Sequence, residues 1–484
     1  MPQILPRWLP LALLALATLL WRSHDLASRP MHADEANQAV KAGELLESGR
    51  YAYDPGDHHG PVLYYAVLPF AWLRGQHTLA DLDEVTVRLV TVVAGALSVL
   101  LVGLLALPLG RWPALAAAAF MAASPPADYY SRYFVQETLL AAFTLASLLC
   151  ARQWWRSGRL GWAVAAGVCA GLMEASKESA PLFALGALAA FFATNRSGPP
   201  EGLRCARDGM AAAAASLAVW ALLYSSFGTH LSGLRDALAA YGHAASRLGA
   251  ASTGHEKPWW YFLRLLTWQR SGGLVFEQAG FAALAMGGGV VALFRPDPLL
   301  RWAAAYSGLV LAAFSLMPYK TPWHAVDLVP SLAVLAAGAL ASAPGTRAGR
   351  WCALAVALAV LASLGFQSYR VSRVYPADPR NPYAYVHSAP DVLKIRALAV
   401  AALGRSPGSI VRVVSEEYWP LPWYLRGLGR VGYWTQPPAD CDASLVITSA
   451  GLSGEVSRRL HGAYDRSYLG LRPGFVCVVF TRKP

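Results

Sequence analysis

Only 14% of this chain is charged, against 55% hydrophobic, so an acidic pair just beyond the first apolar segment calls for a chemical reason. That pair is Asp34-Glu35, in Met31-His32-Ala33-Asp34-Glu35. A carboxylate at this place can take the proton of an acceptor hydroxyl as its oxygen attacks carbon. The role falls to Asp34, with Glu35 orienting the site or binding a metal. The plainer alternative is a helix N-terminus at the interface, where acidic residues suit the dipole. Glu137 opens a later apolar segment, where an unpartnered carboxylate is costly. It is read as a second carboxylate facing Asp34, serving as metal ligand or as an orienting acceptor for Arg132, five residues before it.

Two lysines occupy comparable positions. Lys177 stands between Glu174 and Glu178, either to neutralise an i, i+4 repulsion or to serve a substrate together with Glu178. Lys320 lies in Pro318-Tyr319-Lys320-Thr321-Pro322-Trp323-His324. Its flanking prolines stiffen it to meet a lipid-linked phosphate as a point charge; the alternative is a lysine snorkelling at an interface. In Asp54-Pro55-Gly56-Asp57-His58-His59 two consecutive loop histidines are poorly placed to share one ion. A turn carrying polar contacts from His59 is preferred there. The run Tyr418-Trp419-Pro420-Leu421-Pro422-Trp423-Tyr424-Leu425-Arg426 is read as a wall for a sugar, with Trp423 and Arg426 facing it, in preference to core and interface packing.

What must position these residues is a membrane. The chain has 484 residues and a mean hydropathy of +0.36, and apolar blocks recur at about the length that crosses a hydrocarbon core. The expected spans are 8–21, 85–107, 112–127, 137–151, 160–174, 180–194, 208–228, 273–294, 299–317, 323–342 and 351–369, eleven helices in a mainly α polytopic protein. The first reads as a retained signal anchor, since Trp21-Arg22-Ser23-His24-Asp25 offers no small-residue cleavage site. With the N-terminus inside, the short loops carrying Arg111, Arg152, Arg156, Arg159, Arg196, Arg295, Arg301, Arg347 and Arg350 all fall on the cytoplasmic side. Asp34, Glu137, Lys177 and Lys320 then meet on the opposite face. The net charge of +12 is thereby an orientation signal and does not point to nucleic acid.

Two outer loops are long. The first holds helix-like stretches at 35–48 and 61–73, both read as interfacial, and the second holds an amphipathic stretch at 231–248. Residues 1–370 form the transmembrane domain on this reading. Residues 371–484 form a small extracytoplasmic α/β domain, with a helix at 391–403 and strands at 410–414, 444–448 and 475–481. Cys441 and Cys477 fall within it, with an unbonded buried pair preferred over a disulfide.

The set HxDE, YDPxxHHGPxLYY, SRYxxxE, KE, PYKTPW and PLPWYLR resembles the GT-C membrane glycosyltransferases, which include protein O-mannosyltransferases and lipid A aminoarabinose transferases. It is most similar to a bacterial and archaeal subfamily labelled flippase-activity-associated, over nearly the whole chain. The resemblance implies a polyprenyl-phosphate-linked sugar donor, an acceptor of unspecified class, and catalysis on the outer face of the cytoplasmic membrane. It maps the first-loop acid to Asp34, the second-loop acid to Glu137 and the phosphate-contacting base to Lys320. It leaves open a divalent metal, for which His59 and His324 are the candidate histidines. The rival readings are a lipid-linked sugar flippase and a non-catalytic partner in cell-surface polysaccharide assembly. Against the flippase, its ionisable groups would be expected near the bilayer midplane.

Overall fold

The computed structural model describes residues 6–57, 59–194, 202–249, 255–406 and 408–483; His58 and Arg196 lie outside the described residues. Helix α1 (Leu9–Ser23) is apolar along most of its length. The first long loop then folds into α2 (Ala33–Ser48) and α3 (Val62–Leu73). A reciprocal cap starts α2: His32 Nδ1 accepts from Asp34 N at 3.0 Å, and the Glu35 carboxylate accepts from His32 N at 3.1 Å. Gly49, at φ 66°, ends it in the left-handed conformation that favours glycine. At 12 residues α3 is too short to span.

Helix α4 (Glu84–Ala106) begins at the Asp83 cap, which accepts from Thr86 N at 2.8 Å. Helix α5 (Arg111–Ala123) stops where Pro125-Pro126 start α6 (Pro125–Ser131), so the span expected at 112–127 is shorter than the sequence suggested. Helices α7 (Glu137–Ser157), α8 (Leu160–Glu174), α9 (Ala180–Thr194) and α10 (Gly202–Tyr224) follow. The second long loop carries α11 (Ser232–Gly249) and α12 (Tyr261–Leu265). It also carries an antiparallel hairpin, β1 (Trp268–Ser271) and β2 (Leu274–Glu277), turning through Gly272 and Gly273 at φ 51° and 82°. The hairpin takes the first residues of the span expected at 273–294, leaving α13 (Ala279–Phe294). Helices α14 (Pro298–Leu316), α15 (Ala325–Ala341) and α16 (Arg347–Tyr369) complete the bundle.

Among the described residues, five segments suffice by length and composition to cross a membrane: Glu84–Leu109, Cys205–Tyr224, Pro298–Leu316, Pro322–Ala341 and Arg347–Val374. Helices α1, α8, α9 and α13 are shorter apolar helices. Small residues bring the backbones together, as expected where lipid supplies no hydrophobic drive. A Cβ on Gly171 of α8 would lie 2.6 Å from Ser216 O of α10, and one on Gly288 of α13 would overlap the Leu335 carbonyl of α15.

The C-terminal residues form α17 (Ile395–Arg405), α18 (Leu421–Tyr424), α19 (Ser453–Arg458) and a five-stranded sheet. Its strands are β3 (Val411–Val414), β4 (Val431–Trp434), β5 (Leu445–Ser449), β6 (Tyr464–Arg472) and β7 (Phe475–Arg482), in the order β4-β3-β5-β7-β6. Strand β3 runs parallel to β4 and β5, while β7 runs antiparallel to β5 and β6. Val411, Val413, Leu445 and Ile447 share one buried cluster with the first-loop helices, and Val414, Val446 and Val478 form a second on the other face. Cys477 belongs to the first cluster and Cys441 to the second; both are free and buried.

The bundle has two chemically different ends. At one, Arg152 donates to Leu105 O at 2.8 Å and Trp154 to Asp208 at 2.9 Å. At the other lie the end of α1, the starts of α2, α4 and α7, and the loops after α8 and α14. The expected chemistry falls there, and the C-terminal unit docks on it.

Candidate active site

Glu35 is fully buried and holds this end together. Its Oε1 accepts from Arg29 Nη2, Arg88 Nε and Phe134 N, each at 2.9 Å. Its Oε2 accepts from Arg88 Nη2 at 3.0 Å and from His32 N. Burial alone would raise the carboxyl; Arg29 and Arg88 more than reverse that and hold it well below the usual carboxylate range. With five donors on two oxygens, Glu35 is an internal tie joining the first loop to α4 and to the α6–α7 turn. Of the two roles expected for Glu35, orienting the site or binding a metal, the second is met by no free oxygen, since both accept from protein donors.

Asp34, one residue earlier, is in the opposite situation. Its side chain is 52% exposed, and it comes no nearer than 3.8 Å to the His32 ring nitrogen Nδ1. The frame beneath it is rigid. Arg29 also donates to Arg132 O at 2.7 Å and contacts His387 Nε2 at 3.1 Å. The guanidinium lies 4.4 Å from the Tyr133 ring centroid.

Glu137, at the first position of α7, is paired with Lys177. Burial would lower the Lys177 pKa, but the Glu137 charge outweighs it and raises it, so the ammonium is held charged. Lys177 thus serves Glu137 and does not sit between Glu174 and Glu178. Glu178 instead takes His59 Nδ1 at 3.0 Å and Tyr53 OH at 3.4 Å. Burial pushes its carboxyl up, and the His59 charge and hydrogen bond bring it down to about 2. The approach depends on Gly60, where a Cβ would overlap the Ala175 carbonyl; Val62 N donates to that same carbonyl at 3.0 Å. Asp57 accepts from Lys41 at 2.6 Å and Asn37 at 3.1 Å, fastening the turn to α2.

Lys320 is 2% exposed. Its Nζ donates to Lys257 O at 3.1 Å and to Met317 O. Among the described residues it has no carboxylate partner within salt-bridge distance. Lys320 N donates to His255 O at 3.1 Å, and the His255 imidazole feels the Asp34 charge. His255 is thus tied through its carbonyl to Lys320 and lies within electrostatic reach of Asp34. His324 is stacked on Phe314 with centroids 5.1 Å apart, and the charges of Lys177 and His59 reach it.

Three other expected residues do structural work. Arg132 spends its guanidinium on Arg22 O and His24 O, both at 2.7 Å, and Asp25 O at 3.0 Å. It closes the carbonyl end of α1 with three of its five N–H donors, and its partners are carbonyls and not Glu137. Trp423 is 0% exposed and donates to Glu84 at 2.7 Å. Arg426 lies 3.8 Å from the Trp423 ring centroid and donates to Leu82 O at 2.7 and 3.0 Å. Both clamp the C-terminal unit to the start of α4, so neither walls a sugar. The sequence reading missed Arg29, Arg88 and His387, and it quoted His32 within a motif without giving it a role. Arg88 carried a usable signal, since a charge inside an apolar span implies a buried partner. His387, 358 residues from Arg29, carried none.

Among the described residues, the one group of three metal-type ligand atoms within 4.8 Å of each other is Asp440, Asp442 and His461, in the C-terminal unit. Asp34, Glu137, His59 and His324 form no such group.

Residues 59–201 match the family model described as dolichyl-phosphate-mannose-protein mannosyltransferase. A search of curated proteins found no match. Among solved structures, ArnT from Cupriavidus metallidurans in the apo state aligns with a TM-score of 0.66 at 16% identity, over 96% of this chain and 97% of that one. The same protein bound to undecaprenyl phosphate aligns with a TM-score of 0.65 at the same identity and coverage. The Archaeoglobus fulgidus oligosaccharyltransferase in the apo form aligns at 0.55 with 14% identity, over 87% of this chain and 63% of that one. The alignment thus runs over nearly the full length of both chains, and the chain is a multi-pass membrane protein of the GT-C glycosyltransferase fold.

Proposed function

We propose that the chain transfers a sugar from a polyprenyl-phosphate carrier to an acceptor hydroxyl at the extracytoplasmic face of the cytoplasmic membrane. The observation that carries this reading is the division of labour within one dipeptide. Glu35 is consumed by Arg29 and Arg88, while Asp34 stands half-exposed on the rigid turn that Glu35 fixes. Asp34 takes the acceptor proton as the hydroxyl oxygen bonds to the anomeric carbon and the carbon–phosphate oxygen bond breaks. The departing polyprenyl phosphate carries the electron pair, and its charge meets Lys320. A single displacement of this kind inverts the anomeric centre. Meeting the leaving charge is the larger electrostatic contribution, and an ammonium bound only to carbonyls is suited to it. Glu137 and Lys177 hold the wall formed by α7 and the α8–α9 turn, and His59 and Glu178 fix the first-loop turn against it. Two comparisons support the donor class: the ArnT structure with undecaprenyl phosphate and the mannosyltransferase family match. The test is transfer by the purified chain from a radiolabelled polyprenyl-phosphate hexose. Asp34→Asn is expected to abolish transfer while leaving the unfolding midpoint unchanged; full activity in that variant would remove Asp34 from the chemistry.

A further inference from the structure

The chemistry above leaves a set of aromatic side chains beside Asp34 without a role. Tyr319 and Trp323, from the loop after α14, meet Tyr385, from the segment leading into the C-terminal unit. All three are half-buried, as is His255, whereas Tyr129, Tyr130, Tyr133 and Tyr383 behind them are buried. The four form a continuous rim. Ring centroids lie 4.9 Å apart for His255–Tyr319, 5.7 Å for His255–Tyr385 and 6.1 Å for Trp323–Tyr385. His255 Nδ1 and Tyr385 OH are hydrogen-bonded at 2.7 Å.

The rim approaches Asp34 through the His32 ring. His255 feels the Asp34 charge, and Trp323 lies 6.4 Å from the His32 ring, whose Nδ1 accepts from Asp34 N. A Tyr or Trp with part of its surface open offers an apolar face and a polar edge. A pyranose ring is built the same way, with C–H faces and a hydroxyl edge. A peptide acceptor would be bound through main-chain hydrogen bonds to an open strand edge. Here the facing backbones pair with each other: Lys257 N donates to Pro318 O at 3.2 Å, Lys320 N to His255 O at 3.1 Å, and Glu256 bridges Tyr319.

We infer that the acceptor is a carbohydrate, its ring stacked on Trp323 and Tyr385 with a hydroxyl turned to Asp34; this rests on Asp34 being the base. The inference also gives the C-terminal unit a part in the site, because Tyr385 belongs to its leading segment. The experiment is equilibrium binding to the full chain in nanodiscs, followed by saturation-transfer NMR. The probes are methyl glycosides of hexoses and N-acetylhexosamines and, separately, an octapeptide containing serine and threonine. At least one glycoside is expected to bind and the peptide not to. Trp323→Leu and Tyr385→Leu should each weaken glycoside binding about tenfold, while Tyr385→Phe, which keeps the ring, stays within about threefold of the native chain. Asp34→Asn should still bind glycoside. Peptide binding in place of glycoside, no binding by any glycoside, or glycoside binding indifferent to both leucine substitutions would overturn the inference. Transfer that survives Asp34→Asn while glycoside binding still depends on the rim would sink the base assignment and leave the rim standing.

Discussion

Replacing Glu35 by Gln separates a structural carboxylate from a reacting one. The amide has nearly the same shape, but it removes the single negative charge between Arg29 and Arg88. It also turns an NH2 group toward donors in place of one of the two oxygens that together accept five hydrogen bonds. Breaking a buried ion pair costs about 3–5 kcal/mol because the surviving charge stays buried. Here two guanidiniums are stranded, which puts the cost near the upper end of that range. At about 1 °C per kcal/mol for a chain of 484 residues, the unfolding midpoint should fall by about 4–5 °C. The assay is thermal unfolding in detergent followed by tryptophan fluorescence, with Asp34→Asn in parallel. Asp34 is half-exposed and comes no nearer than 3.8 Å to the His32 ring nitrogen, so its substitution should move the midpoint by about 1 °C or less. A Glu35→Gln chain that melts with the native protein yet has lost transfer would refute the reasoning, because Glu35 would then be reacting and not bracing.

Lys320→Gln should weaken binding of polyprenyl phosphate about 10- to 100-fold, the worth of a charge-assisted hydrogen bond, with little change in melting; a fluorescent polyprenyl-phosphate titration reads it. Lys177→Met strands Glu137 at the start of α7 and should cost about 3–5 kcal/mol, while Glu137→Gln with Lys177→Met should recover much of that in a double-mutant melting cycle. Stability should also fall on acidification below about pH 6.5. Burial, then the Arg29 and His32 charges, pushes the His387 imidazole well below its ordinary value, and burial likewise lowers His32. Between the unfolded and folded values the unfolded chain binds the extra protons. Stability present above about pH 6.5 is therefore lost as pH falls, by about 1 kcal/mol per unit for each ring. Melting at stepped pH should show this slope, and His387→Gln should flatten it.

Local patterns in the sequence were sufficient for much of the fold. Apolar periodicity located a helix in each expected span, because each side chain facing lipid or a helix neighbour obeys the same rule along the chain. It misjudged the end of α5, where Pro125-Pro126 divide one apolar run into two helices, and the start of α13, where Gly272-Gly273 turn a hairpin. Strands β4 and β6 escaped notice because β4 contains a glycine and β6 is polar along its exposed half. At the site, the one-dimensional signal was position: acids and lysines at segment ends. It could not say which of two adjacent carboxylates is buried, since that depends on Arg29 and on Arg88, 53 residues from Glu35. Trp423 and Arg426 were misread for a related reason. An aromatic-basic run looks the same whether it faces ligand or clamps two units, and only the contacts with Glu84 and Leu82 distinguish the cases.

The central claim is that Asp34 and Lys320 border one site for the lipid phosphate, and a cryo-EM structure of the chain in nanodiscs with undecaprenyl phosphate tests it most directly. The account predicts the phosphate within hydrogen-bond reach of Lys320 Nζ, at the end of the bundle that carries Asp34. A phosphate bound at the opposite end, beside Arg347 and Arg350, would contradict it.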